Sequence, residues 1–385
     1  MRKIYMKMSL VALTLLTMTA CQEIDDVVDQ TPTTNSDNIA KAGTVIGSYY
    51  ANIKVNTYYN NNGNYYAHLY SESNSTELLQ EAEYDYRSSG FKFNNLNPST
   101  KYFYKVLFDI GSYHKESPLM SFTTLPGVSC GDVLYVDRSG DILPFQEKYN
   151  VKEIRCQFGT TNNDYSILNS YIYYIEGGWK IGAQIDAANY NRIYAAYPTE
   201  SLERRKFWVN TSNGATVEYL YGNGSLDKET YKYNLSMYHA TAKVEFNIDI
   251  DPNINLESVL INEMKLYSNG VVPVSGYISM EDGKISSENY SNINLGNKIT
   301  LVKGKPYHTT FYPLPASKEG DVTFYMHVNG ASVLNEPINL SENKKWEAGK
   351  TYTYNIIYTP KELRITFVSV KDWNDMSGGD ITIKH

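Results

Sequence analysis

The chain has 385 residues, enough for two or three domains at about 100 to 200 residues each. With 35 Lys and Arg against 42 Asp and Glu, its formal net charge is −7, which argues against a nucleic-acid partner, since phosphate binding needs clustered positive charge. Its 36 tyrosines favour strands, and they also suit half-buried binding surfaces where the ring is apolar and the hydroxyl stays wet, so the composition points to an all-β chain.

The first element is an export signal, residues 1–20. Basic Arg2, Lys3 and Lys7 precede an apolar run over residues 8–19, and the small pair Thr19-Ala20 stands before Cys21. An apolar run of about a dozen residues is too short for a bilayer, which needs about 20. Cleavage before a cysteine suits the lipoprotein pathway, in which the thiol of Cys21 is diacylated and holds the protein to a membrane by hydrocarbon burial. An ordinary secretory signal followed by an incidental cysteine is the competing reading. Gln22-Glu23-Ile24-Asp25-Asp26 resembles the acidic tag that carries lipoproteins of Bacteroidetes to the outer face of the outer membrane. Residues 21–42 then form a polar tether.

Over residues 43–125 short alternating runs are broken by turn signals. Ala51 to Val55 alternates with period two, Asn60-Asn61-Asn62-Gly63-Asn64 predicts a hairpin turn, and a strand returns over residues 65–70. Leu96, Pro98, Thr100 and Tyr102, with the closing Phe122-Thr123-Thr124, resemble the fibronectin type III domain, and Tyr102 falls at the position of its tyrosine corner. The early core tryptophan of that family is missing.

Leu125-Pro126-Gly127 marks a boundary, and the chain stays strand-rich to its end, with one short turn expected over residues 186–189. A second boundary is expected near residue 230, at the polar stretch 227–230, which divides the remainder into two β domains, 126–230 and 231–385. Within this region Gly127-Val128-Ser129-Cys130-Gly131 matches a nucleophile elbow by letters, but a strand-like run follows where the chemistry needs a helix. The six histidines show no zinc spacing, and His239 lies in a strand-like context that suits a structural role. Asp249 and Asp251 lack the glycine and distal glutamate of a calcium loop. No catalytic residue, metal site or cofactor is assigned. Cys130 and Cys156 are an even pair in an exported chain and can form a disulfide if the fold brings them together. Trp179 and Trp208 are the aromatics that could stack on a ligand, with core packing as the alternative for each.

Near the end, Trp346-Glu347-Ala348-Gly349-Lys350-Thr351-Tyr352-Thr353-Tyr354-Asn355-Ile356 predicts a turn feeding a strand whose Tyr352, Tyr354 and Ile356 share one face, with Trp346 packed across the turn. This stretch resembles the signature of the fimbrillin-like proteins of Bacteroidetes, the pilins and pilus accessory lipoproteins. His239-Ala240-Thr241-Ala242-Lys243-Val244, Tyr312-Pro313, the closing Val368 to Asp375 with Trp373, Tyr194-Ala195-Ala196-Tyr197-Pro198 and Tyr219-Leu220-Tyr221-Gly222 agree with it. The resemblance implies two transthyretin-like β-sandwiches behind the fibronectin-like module, and a surface role in adhesion or as a pilus anchor or accessory subunit. It also implies partners among pilus subunits or surface ligands of host or bacterial cells. In polymerising members, proteolytic removal of an N-terminal strand opens a groove for a strand of the next subunit. Arg138 and Arg155 lie near that region, and nothing in their setting marks a processing site. A surface glycan-binding lipoprotein serving an outer-membrane uptake system is the alternative reading.

Overall fold

The alternating pattern becomes strand almost everywhere. The computed structural model describes residues 44–373, apart from 55–62, 75, 86, 88, 139, 161–162, 331–332 and 341–344. Cys21 and its signal, the tether, most of the expected turn at residues 60–64 and residues 374–375 of the closing segment lie outside the described residues. Two compact units result: Asn52–Phe93 with Lys101–Thr123, and Ile46–Ala51 and Asn94–Thr100 with the chain from Thr124 onward.

The N-terminal strands are β1 (Thr44–Ile46), β2 (Ala51–Lys54), β3 (Asn64–Tyr70), β4 (Leu78–Asp85), β5 (Gly90–Phe93), β6 (Lys101–Ile110), β7 (Tyr113–Glu116) and β8 (Met120–Thr123). Their order is β1-β2-β5-β4-β3-β6-β7, with β8 also on β6. Period two decides what is buried: Tyr65, Ala67 and Leu69 of β3 and Tyr102, Tyr104 and Val106 of β6 turn inward. The Tyr102 and Tyr104 rings lie 5.8 and 6.0 Å from Phe122.

From Thr124 onward the larger unit holds β9 (Ser129–Val136), β10 (Ile142–Pro144) and the five-residue helix α1 (Phe145–Tyr149), which no helical periodicity in the sequence announced. β11 (Glu153–Thr160), β12 (Asn163–Ile175), β13 (Gly178–Ile181), β14 (Arg192–Tyr197), β15 (Lys206–Asn210), β16 (Leu220–Asp227) and β17 (Lys232–His239) follow. All but β15 form one sheet, β10-β9-β17-β16-β14-β11-β12-β13. It curls so that β13 comes back alongside β9, enclosing a core with Tyr135, Phe145, Phe158, Tyr233 and Leu235.

The polar stretch 227–230 lies within a hairpin, and the chain leaves this sheet for the last time only after it. Asp227 accepts hydrogen bonds from the Glu229 N–H at 2.8 Å and the Thr230 hydroxyl at 2.7 Å, closing the β16–β17 hairpin inside this sheet. The chain changes sheets after His239, where the Ala240 N–H still bonds the Tyr219 carbonyl but the Ala242 N–H bonds Pro313. A polar turn and a domain linker have the same composition, and only the pairing distinguishes them.

Beyond that point lie β18 (Lys243–Ile250), β19 (Ser258–Tyr267), β20 (Ser275–Ser279), β21 (Ile285–Asn289), β22 (Asn292–Val302), β23 (Tyr307–Phe311), β24 (Gly320–Val328), β25 (Val333–Leu340), β26 (Lys350–Tyr358) and β27 (Leu363–Asp372). Two four-stranded sheets, β23-β18-β26-β27 and β22-β19-β24-β25, share one core, while β15 joins β20 and β21 in a separate three-stranded sheet. Trp346 is fully buried in the shared core, and its indole N–H donates to the Tyr354 hydroxyl at 3.0 Å. The Tyr352 hydroxyl accepts from the Glu347 N–H at 3.0 Å and donates to the Lys345 carbonyl. The turn between them needs Gly349, whose φ of 72° a side chain would strain. The expected Trp–Tyr packing is therefore a brace that joins β26 to the loop before it.

Candidate functional site

One group of polar and aromatic side chains lies around β9. This strand pairs parallel with β17 on one side and antiparallel with three residues of β10 on the other. Its inward residues Cys130, Val133 and Tyr135 are buried, and its outward ones are not. Tyr135 reaches His239 at the end of β17, where its hydroxyl is hydrogen-bonded to Nε2. The His239 ring stacks on Trp373 at 3.8 Å between centroids, and Trp373 lies 5.4 Å from Tyr312. Glu218 Oε1 stands 2.8 Å from His239 Nδ1, at an angle that makes no well-formed hydrogen bond, and accepts a 2.5 Å bond from Tyr149. His239 is thus structural, tying the end of β9 to the C-terminal sandwich through Trp373.

After β9 the chain makes a closed turn: the Asp137 carbonyl accepts from the Gly140 N–H, and its carboxylate accepts from the Asp141 N–H at 2.9 Å. Arg138, at the rim, donates to the Ala348 carbonyl at 2.9 Å and to Glu347 at 3.1 Å. Half-exposed pairs of this kind contribute about 0–1 kcal/mol. Arg155 lies within β11, its guanidinium 4.9 Å from the Tyr171 ring centroid. Ser129 opens β9 with no helix behind it, so the nucleophile-elbow geometry is absent.

Trp179 is a core residue, 8% exposed and packed against Tyr174 and Phe145, which removes it from the aromatics able to stack on a ligand. Trp208 is different: 40% exposed, on the outward face of β15, with the Tyr277 ring 5.0 Å away at 68°. Tyr277 donates to Glu203 at 3.0 Å, and that carboxylate raises the phenol pKa. The sequence offered no signal for Tyr277 or Glu203, because the β15–β20 pairing joins segments far apart in the chain.

Cys130 and Cys156 are unbonded thiols buried in the same core. Burial, reinforced by Asp132, pushes the Cys130 pKa up to about 12, and burial likewise raises Cys156 well above its ordinary value. At pH 8 a thiol with that pKa is ionised only to about one part in ten thousand. Both are expected to resist iodoacetamide in the native protein and to react after unfolding; rapid labelling of the native protein would contradict this burial. Among the described residues no group of His, Cys, Asp and Glu is placed to hold a metal ion, and no helix is long and apolar enough to cross a membrane.

A model of the fimbrillin-like family matches residues 149–373, more than half of the chain. The chain belongs to the fimbrillin-like family. Among solved structures, this fimbrillin-like chain is similar to two candidate cell adhesion proteins. That of Bacteroides ovatus is 12% identical, with a TM-score of 0.43, over 64% of this chain and 98% of the other. That of Bacteroides uniformis is 14% identical, with a TM-score of 0.45, over 64% and 99%. The C-terminally truncated tip fimbrial protein Mfa3 of Porphyromonas gingivalis is 12% identical, with a TM-score of 0.39, over 64% and 100%. No curated protein matches the chain.

Proposed function

We propose that this chain is a non-enzymatic cell-surface protein of a fimbrial system, an anchor or accessory subunit acting in adhesion. In this reading it is held to the outer membrane by lipid on Cys21, and the fibronectin-like module sets the adhesive domains away from that membrane. The family match over residues 149–373 carries the reading. The setting of β9 supports a stationary subunit over a polymerising one. Its inward side chains are in place, and the turn behind it is closed by its own hydrogen bonds, with Arg138 engaged on Glu347 and Ala348.

The test is co-isolation. A tagged full-length chain, expressed in its native envelope, is expected to be retained in the outer-membrane fraction, to purify with fimbrial subunits and to keep its N-terminal module. A Cys21→Ala variant is expected to leave the membrane. Absence of fimbrial subunits from the purified material would remove the accessory role.

A further inference from the structure

The small sheet β15-β20-β21 is packed on one face and carries a large exposed aromatic on the other. Its inward face is complete: Phe207, Val209 and Ile278 are fully buried against Tyr194 and Leu314. Arg205 fastens its start, donating to Glu281 at 2.7 Å and to the Thr160 carbonyl at 2.6 Å, while its N–H donates to Gln157. The outward face nevertheless carries Trp208. Of the four tryptophans, Trp179, Trp346 and Trp373 are buried at 8%, 0% and 3% exposure, whereas Trp208 leaves 40% of its surface in water. Leaving so large an apolar side chain exposed on a rigid strand forgoes stabilisation that burial would supply.

The register makes that face a built surface. Trp208 pairs across to Tyr277, and Tyr277 pairs to Ser286, so one row crosses all three strands. The two rings meet at 68° with centroids 5.0 Å apart, forming an open corner. Lys206 and Asn210 flank Trp208 on its own strand, each two residues away and so about 7 Å distant. Glu203 holds the Tyr277 hydroxyl at 3.0 Å, and Lys206 Nζ lies 3.5 Å from Ser286 Oγ. An aromatic corner is thus rimmed by an ammonium, a carboxylate, an amide and a hydroxyl.

The size of the face selects its occupant. Three strands of about five residues span roughly 16 by 14 Å, or about 220 Å². A stable protein–protein interface needs about 800 Å² on each partner, with an apolar centre. This face is several times too small, and its apolar part is two rings. A pyranose fits both limits. One side of the sugar ring is a patch of C–H groups that packs on an aromatic face, while its hydroxyls, both donors and acceptors, radiate in the ring plane toward groups of either kind. The opposite signs of Lys206 and Glu203 give no single-sign field that would favour an anion or a cation.

We infer that the Trp208–Tyr277 corner is a binding site for neutral pyranose units of cell-surface glycans. This rests on the adhesive reading above and names the ligand class it implies. The strand setting supports the inference, because rings already held by cross-strand packing lose little freedom when a ligand arrives.

The experiment is a binding screen of the full chain on a printed panel of neutral oligosaccharides ending in galactose, mannose, fucose or N-acetylglucosamine, followed by titration of any hit. Binding is expected for the wild type, with affinity lowered at least about tenfold by Trp208→Ala and less by Trp208→Tyr, which keeps an aromatic face. The melting temperature should fall by no more than a few degrees in either, since the loss is about one cross-strand pair outside the core. Iodide quenching of Trp208 fluorescence should fall when the sugar binds. Undiminished binding by a folded Trp208→Ala protein, or no binding to any member of the panel, overturns the site. Co-isolation of Trp208→Ala with fimbrial subunits separates the two readings. Retained co-isolation without sugar binding by the wild type sinks only the glycan site, and lost co-isolation of the wild type sinks the accessory role.

Discussion

Replacing Trp346 by alanine is expected to destabilise the protein by about 3–5 kcal/mol, lowering the melting temperature of the larger unit by roughly 10 °C. The side chain is 0% exposed, its ring lies 5.6 Å from Phe311, and residues of two sheets share the core around it. The loss includes a hydrogen bond, because the indole N–H is the donor to Tyr354. Tyr354→Phe isolates that part. It keeps the ring volume but leaves a buried indole N–H without its acceptor, which costs about 1–3 kcal/mol. Thermal unfolding followed by near-ultraviolet circular dichroism measures both. A Trp346→Ala protein that melted within a degree or two of the wild type would mean that the brace between β26 and the preceding loop contributes little.

The second large effect concerns β9. If a sequence-specific protease site is placed in the turn at residues 137–141 and cut, β9 is no longer covalently continuous with the strands that follow it. It is then held by the parallel ladder to β17, the short ladder to β10, and the burial of Cys130, Val133 and Tyr135. A labelled peptide with the sequence of residues 129–136 is expected to enter the cut protein and to stay with it through gel filtration. The uncut protein should take up none. A Tyr135→Ala peptide should bind weaker by about 3 kcal/mol or more, about a hundredfold in affinity, because it surrenders a buried ring and the bond to His239. Failure of the cut protein to exchange any peptide would show that the place of β9 between β10 and β17 does not accept a new strand, leaving an adhesive role without assembly through β9.

Much of this architecture is legible along the chain because strands announce themselves locally. Period-two alternation at β18, whose alternate residues Val244, Phe246, Ile248 and Ile250 are all buried, and the Tyr352, Tyr354, Ile356 face of β26 need no information beyond neighbouring residues. The turn at Gly349 is equally local, since its positive φ favours glycine. Helix α1 was not visible, being shorter than two turns and so without a period to detect. The stretch near residue 230 is ambiguous in sequence for a related reason: Asp227 and Thr230 close a hairpin with the same polar groups a linker would carry.

The candidate sites divide along the same line. That Trp179 and Trp208 are aromatics in strand-rich segments is a property of sequence; that one is buried on Phe145 and the other faces water beside Tyr277 is a property of pairing. Cys130 and Cys156 were an even pair by count, whereas their placement as two unbonded thiols in one core depended on how β9 and β11 close around it. The sequence by itself determined the strand content, the family and the residues of the Trp346 brace, because backbone alternation and turn chemistry act over a few residues. Only the tertiary structure decided where the sheets change, which face of each strand meets water, and which distant side chains become neighbours. Sheet register joins segments tens of residues apart, and a shift of one residue would send every side chain of a strand to the opposite face.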